Sequence, residues 1–378
     1  MLRLLPLLLL ASFAPPSASL LAPLARLEPL GRPLLERYLL ADAAAPQPPV
    51  TAVSWFADGG SNERLQLLLW QFAAGGSAER RVVLALPTLE PRTLRELVDV
   101  MQPVKSSLRA TPLPDDSPIG GLLLEALEDG GDPSARAERA IGAADDAAVV
   151  ARMRAWVTRT LTPAGLKFCP YTGSASTSGT GLESSGVPAA PIDYCVAARG
   201  SSLAQLLVAF WSACARMLEG GEAATSSIIL AAPGWDGDYE RWSTEVFPCL
   251  EASLLASRRA RDLGIVCFHP KYVTPSEEWL ARHRFGHMHS TARLRGYVDE
   301  QDAPLSAATD DEALAWASAY QRRSPHAMIN VLWSRQLEIA ETKRRSSSLY
   351  TRNIRTALSA GRDELERAAD EERRRADL

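Results

Sequence analysis

The sequence predicts an α/β or α+β fold, built on a small mixed sheet of about four core strands alternating with helices. Three observations carry this. Short runs of β-branched and aliphatic residues, such as Ser227–Ala232 and Met328–Trp333, are closed by Pro, Gly or polar punctuation. Helical stretches of roughly ten to twenty residues separate them. The composition, 46% hydrophobic and 23% charged over 378 residues, is that of a folded chain and not of a disordered, collagenous or multi-span membrane protein.

The elements follow in order. Residues 1–49 are a leader and stand outside the fold. Residues 50–110 form an N-terminal α+β extension, with strands at Thr51–Phe56 and Arg81–Leu86 and helices at Glu63–Phe72 and Arg92–Met101. Residues 111–146, with Pro112, Pro114, Pro118 and two Gly-Gly pairs, predict an acidic flexible linker holding at most a short helix at Leu122–Leu127. The core domain is 147–360. Its strands are Ile192–Ala197, Ser227–Ala232, Ile265–Phe268 and Met328–Trp333. Its helices are Ala147–Thr160, Leu203–Leu218, Tyr239–Leu263, Asp310–Arg322, Gln336–Arg345 and Leu349–Ala360. Ser201 or Ser202 caps the second helix and Gly220-Gly221 stops it. Thr172–Pro191, rich in Gly, Ser and Thr, is expected to be a disordered loop. Residues 361–378 are a charged, solvated helical tail. No internal repeat is present, and strand order is invisible at this level.

The leader begins Met1-Leu2-Arg3, continues with an apolar run from Leu4 to Leu10 and then small residues and prolines. The run is too short to span a bilayer and has the shape of a secretory signal. Leu20 to Pro49 follows, rich in Leu, Ala and Pro and poor in acids. This order, with Ala-Ser-Phe-Ala-Pro at the join, resembles the bipartite leader of algae with complex plastids, in which Phe13 would begin the transit part. The resemblance implies the plastid stroma; the alternative is secretion. Five cysteines at wide spacings, without C-x-x-C, fit free thiols in a reducing compartment better than a disulfide framework. No segment of the mature chain reaches membrane-spanning length.

The formal net charge of −4 leaves no basic footprint, so nucleic acid is not an expected partner. A G-x-x-x-x-G-K-[ST] phosphate cradle is missing, as is a G-x-S-x-G elbow. His283, His287 and His289 form H-x-x-x-H-x-H, but Gly286 interrupts a helix there and no H-E-x-x-H exists; no metal is assigned, and any cofactor is unknown.

Four segments stand out. They are Leu166-Lys167-Phe168-Cys169-Pro170-Tyr171, Phe268-His269-Pro270-Lys271-Tyr272, Arg323-Ser324-Pro325-His326 and Tyr350-Thr351-Arg352-Asn353-Ile354. In this order they resemble the uncharacterised family called domain of unknown function 1415. Its pattern runs L-N-L-C-P-F, F-H-P-x-Y, N-R-S-P-Y-P with a following His, and R-N-I. The resemblance spans about Ala151 to Ala360. It implies no activity, since that family has no assigned reaction. The chain departs from the pattern at Lys167, where Asn is expected, at His326-Ala327 and at Asn330, where the following His would fall.

The chemistry of these residues suggests a site. Cys169, in a turn set by Pro170, is the candidate nucleophile or redox centre; core packing is the alternative. His269, at a strand end, is the candidate base, or a residue that fixes a loop. Arg323 and Ser324, with Arg352 and Asn353 beyond, have the donors of a carboxylate or phosphate clamp, or of surface ion pairs and loop carbonyl bonds. Two functions remain open: an enzyme acting on a small anionic metabolite through Cys169, His269 and Arg323, or a non-catalytic binding or assembly module of the plastid.

Overall fold

The structure is a computed structural model describing residues 52–55, 62–74, 81–85, 91–101, 108–113, 120–126, 143–282, 289–342 and 345–374. The expected leader, residues 127–142, His283 and His287 lie outside the described residues. The chain divides into two compact units, Met1–Ser61 with Leu67–Gly130 and Asn62–Gln66 with Gly131–Leu378.

The first unit holds a four-stranded sheet of β1 (Ala52–Trp55), β2 (Arg81–Ala85), β3 (Leu108–Pro112) and β4 (Gly121–Ala126), in the order β1-β2-β4-β3. β1 and β2 are parallel; β4 pairs antiparallel with both β2 and β3. The expected linker therefore supplies β4 and the last two residues of β3, and residues 122–126, expected as part of a short helix, are a strand. Pairing with β2 on one side and β3 on the other holds it extended. As a strand, the segment places Leu122 and Leu124 on one face, both buried. Helix α1 (Asn62–Ala73) follows β1, and α2 (Pro91–Val100) precedes β3. Pro91 opens α2 at a position where a missing N–H costs nothing.

The second unit is built on a mixed sheet of six strands. These are β5 (Thr172–Ser174), β6 (Thr177–Ser178), β7 (Ala190–Val196), β8 (Ser227–Ala231), β9 (Leu263–Phe268) and β10 (Met328–Trp333). Their order is β5-β6-β7-β8-β10-β9. β7 runs parallel to β8, and β10 runs antiparallel to both β8 and β9. So β7, β8 and β9 point the same way, and their ends share one edge with the start of β10. Every residue of β8 is buried, as its unbroken aliphatic run requires.

The Gly/Ser/Thr-rich stretch is ordered. It forms β5, β6 and a short 3-10 turn at Glu183–Ser185, with Leu182 and Val187 buried as anchors. Gly179, Gly181 and Gly186 take positive φ at its corners, which no β-branched residue would tolerate.

Helix α3 (Ala143–Trp156) ends in a π turn, Val157–Leu161, where the Thr162 amide reaches back to the Val157 carbonyl at 3.2 Å. Helix α4 (Leu203–Gly220) starts in a capping box: Ser202 accepts from the Gln205 amide at 3.3 Å and its own amide donates to Gln205 Oε1 at 2.9 Å. The stretch Tyr239–Leu263, expected as mostly helix, is broken into α5 (Tyr239–Arg241), a π turn at Trp242–Val246, α6 (Phe247–Ala256) and a 3-10 turn at Arg259–Arg261. Pro248 has no N–H for the ladder, and the wider turn before it absorbs the missing bond. Helices α7 (Glu277–Arg282), α8 (Thr291–Gln301), α9 (Ala303–Ala308) and α10 (Asp311–Tyr320) lead to β10. Helices α11 (Ser334–Thr342), α12 (Arg345–Ala360) and α13 (Arg362–Arg374) follow it.

The core gathers Met153, Trp156, Val157, Ile229, Phe268, Tyr320, Met328 and Ile354. Trp156 meets Phe268 edge-on at 5.0 Å. The charged tail is not merely solvated. Leu365 is buried in this core, and Glu372 takes the Arg159 guanidinium through two bonds of 2.6 and 2.8 Å. Among the described residues no helix is long and apolar enough to cross a membrane.

The turn after α3 is sterically strict about one residue. Leu166 donates its amide to the Arg159 carbonyl at 2.8 Å, and a Cβ on Gly165 would lie 1.9 Å from that oxygen. Gly165→Ala is expected to lower unfolding stability by about 1–3 kcal/mol, measured as a fall in denaturant midpoint at constant slope. An unchanged midpoint would contradict this account of the turn.

Candidate functional site

The four sequence segments are tied together by hydrogen bonds from side chains to backbone. Asn353, on α12, donates to the Phe168 carbonyl and to Gln321 Oε1, both at 2.9 Å. Its neighbour Arg352 donates to the Lys167 carbonyl at 2.7 Å. The amide of His269 donates to the Arg322 carbonyl at 3.1 Å, and Arg323 Nε reaches the Tyr272 carbonyl at 3.4 Å. The Trp156 indole donates to the Arg323 carbonyl at 2.8 Å. Backbone groups outside helices and ladders need partners, and most of the ones named here are supplied by side chains.

Lys167 sits in the left-handed region, at φ 56°. Asn tolerates that backbone better than Lys.

Each expected site residue has a definite place. Cys169 is half-buried; its amide bonds the Leu161 carbonyl at 3.3 Å, and its thiol interacts electrostatically with Arg352. Burial holds the Arg352 pKa below its ordinary value. No imidazole bonds the Cys169 thiol among the described residues. His269 is fully buried at the end of β9. Its Nδ1 accepts from the Lys271 amide at 3.0 Å, so Nε2 carries the proton and donates to the Trp235 carbonyl at 3.1 Å. Both ring nitrogens thus fix loops, and proton transfer at this ring would require breaking one of those bonds. Arg323 forms an ion pair with Glu366 besides its bond to Tyr272. Ser324 Oγ donates to the His326 carbonyl at 2.5 Å. The structure therefore brings Cys169 to Arg352 and Asn353, and His269 to the Arg322–Arg323 turn, but it forms no Cys169–His269 hydrogen bond. His289, the described member of the histidine cluster, packs edge-on against Tyr350 at 4.7 Å. No group of three or more His, Cys, Asp or Glu side chains able to hold a metal occurs among the described residues.

Sequence reasoning passed over a second group at the same edge. The turn after β8 is Pro233-Gly234-Trp235-Asp236-Gly237, and three consecutive residues in it are held by the loops beside it. The Trp235 carbonyl takes the His269 ring. Asp236 accepts from His326 Nδ1 at 2.7 Å and from the Ala327 amide at 2.6 Å. The Gly237 carbonyl takes the Lys271 ammonium at 2.8 Å. The signal was available in part: an Asp in a Pro-Gly turn directly after a buried strand is where α/β folds collect ligand groups. Its partner lies 90 residues away, which no local pattern shows.

Compared with known proteins, the chain matches no family model, no curated protein and no solved structure.

Burial pushes the His269 pKa below its ordinary value of about 6.5. In the unfolded chain the ring binds a proton more readily than in the fold. Its contribution to stability is therefore fully present above about pH 6.5 and is lost as pH falls toward the folded-state value. Between pH 7 and 5 the wild-type stability is expected to drop more than that of His269→Gln, by urea unfolding at each pH. Parallel curves would contradict this burial of a neutral ring.

Proposed function

We propose that this chain binds a small anionic metabolite at the sheet edge where β7, β8 and β9 end, as a metabolite-binding enzyme of the plastid. The observation that carries the proposal is Lys271. Its exposed ammonium is anchored to the Gly237 carbonyl at 2.8 Å and has no carboxylate partner among the described residues. It stands beside three loops that buried polar side chains hold in place. A cation fixed by a carbonyl on a pre-organised edge is suited to an anion. Arg352, whose acceptors are the Lys167 carbonyl and the Asn353 amide oxygen, is a second such cation beside Cys169. Cys169 with Arg352 is the thiol of this proposal, and Arg323 serves the frame through Glu366. The net charge of −4 supports a small ligand over nucleic acid.

The plastid assignment draws support from the cysteines. All five are free, and three are buried. Burial pushes the Cys249 and Cys267 thiols up to about 12, so they are packed and not reactive.

The test is thermal unfolding of the full chain in inorganic phosphate, succinate and acetate, beside Lys271→Ala. An anion at about 100 times its dissociation constant stabilises by about 2.7 kcal/mol, or roughly 5–10 °C in Tm for a domain of this size. That shift is expected in the wild type with at least one anion and is expected to be lost in Lys271→Ala. No shift with any of the three, or an equal shift in the variant, would overturn the proposal.

A further inference from the structure

Asp236 and His326 have a geometry that loop fixation alone does not explain. His326 is 6% exposed, and its Nδ1 lies 2.7 Å from Asp236 Oδ2. The other carboxylate oxygen of Asp236 is occupied by the Ala327 amide at 2.6 Å, so the carboxylate cannot turn away. An ionised carboxylate only accepts, so Nδ1 carries a proton, and in the neutral ring Nε2 is a bare lone pair. That Nε2 is buried and finds no hydrogen-bond partner among the described residues. The residue next to Asp236 repeats the pattern with opposite polarity: the Trp235 indole Nε1–H is buried and also finds none among the described residues. Nine buried side-chain polar atoms lack a hydrogen-bond partner among the described residues, and these two fall on one strand-end turn and the loop tied to it, a pairing that points to a ligand. One accepts and one donates, which is the complement of a hydroxyl group. The Lys271 ammonium, bonded to the next residue, Gly237, adds a positive charge beside them.

We propose that Trp235, Asp236 and His326 form an acid–base subsite for the hydroxyl of a small 2-hydroxy carboxylate, whose carboxylate pairs with Lys271. The subsite rests on the small-anion reading above and names its substrate class. His326 is the catalytic base. Its Nε2 takes the proton of the ligand hydroxyl: the O–H bond breaks, an Nε2–H bond forms and the electron pair stays on the ligand oxygen. Trp235 Nε1–H donates to that oxygen as its charge develops. Asp236 is a positioning residue. It fixes the Nδ1–H tautomer and remains a carboxylate facing the imidazolium.

The experiment is nitrogen NMR of the full chain labelled in His and Trp, titrated with glycolate and, separately, with acetate, for the wild type, Asp236→Asn, His326→Gln and Lys271→Ala. The amide side chain in Asp236→Asn keeps an acceptor for the Ala327 amide, so this variant preserves the turn while reversing the donor facing the imidazole. The free wild-type protein is expected to show His326 with a protonated Nδ1 and a bare Nε2, and Asp236→Asn to show the opposite tautomer. Glycolate is expected to shift His326 Nε2 and the Trp235 indole together, with binding about tenfold weaker in Asp236→Asn and in His326→Gln. Acetate lacks the hydroxyl and should leave Nε2 unmoved. If both acids bind in a Lys271-dependent way while Nε2 stays still, the acid–base subsite fails and the small-anion reading survives. If the free protein carries its proton on Nε2, or glycolate moves neither resonance, the subsite is overturned.

Discussion

Where the strands of a sheet end, backbone amides and carbonyls lose their ladder partners, and the buried ones must find others. That requirement governs the edge at which β7, β8 and β9 stop and β10 begins. Asp236 meets it for the Ala327 amide and at the same time binds His326, so one carboxylate joins the turn after β8 to the approach to β10. The His269 ring does the same between the turn after β8 and the loop after β9. In the turn between the π turn and β5, Asn353 and Arg352 bond the Phe168 and Lys167 carbonyls in the same way. Each loop is fixed by a side chain from a distant part of the chain.

The apolar core makes these bonds possible. Trp156 packs against Phe268 on one side and donates to the Arg323 carbonyl on the other. The end of β9 and the turn before β10 are thus held by one residue of α3. Phe168 is buried against Tyr320, so the carbonyl that Asn353 bonds is presented from a packed position. Buried hydrogen-bonded side chains of this kind keep loops in a single arrangement, and a site that must place charges against a ligand depends on such rigidity.

Much of this was legible in the chain itself. Ser227–Ala232 and Met328–Trp333 are apolar runs with sharp punctuation, and β8 and β10 match them closely. Ser202 and Gly221 bound α4 as their chemistry requires. Leu122–Leu124 was ambiguous because three leucines suit a helix or a strand, and the pairing with β2 and β3 decided it. The Gly/Ser/Thr-rich stretch gave no sign that Leu182 and Val187 anchor it. For the site, the types of Cys169, His269, Arg323, Ser324, Arg352 and Asn353 were informative, and the structure does gather their segments. Their partners are mostly backbone groups, as far as 185 residues away for Asn353, which side-chain identity does not encode. Asp236 was hidden for the same reason.

The central claim is that the strand-end loops form one cooperative polar frame. Native-state hydrogen exchange of the intact chain at the Lys271 and Ala327 amides tests it most directly, since each donates to a side chain and not to a ladder. If the frame is cooperative, both amides are protected and open together, with one free energy and one denaturant dependence. Rapid exchange at either amide, or two unrelated openings, would contradict the account.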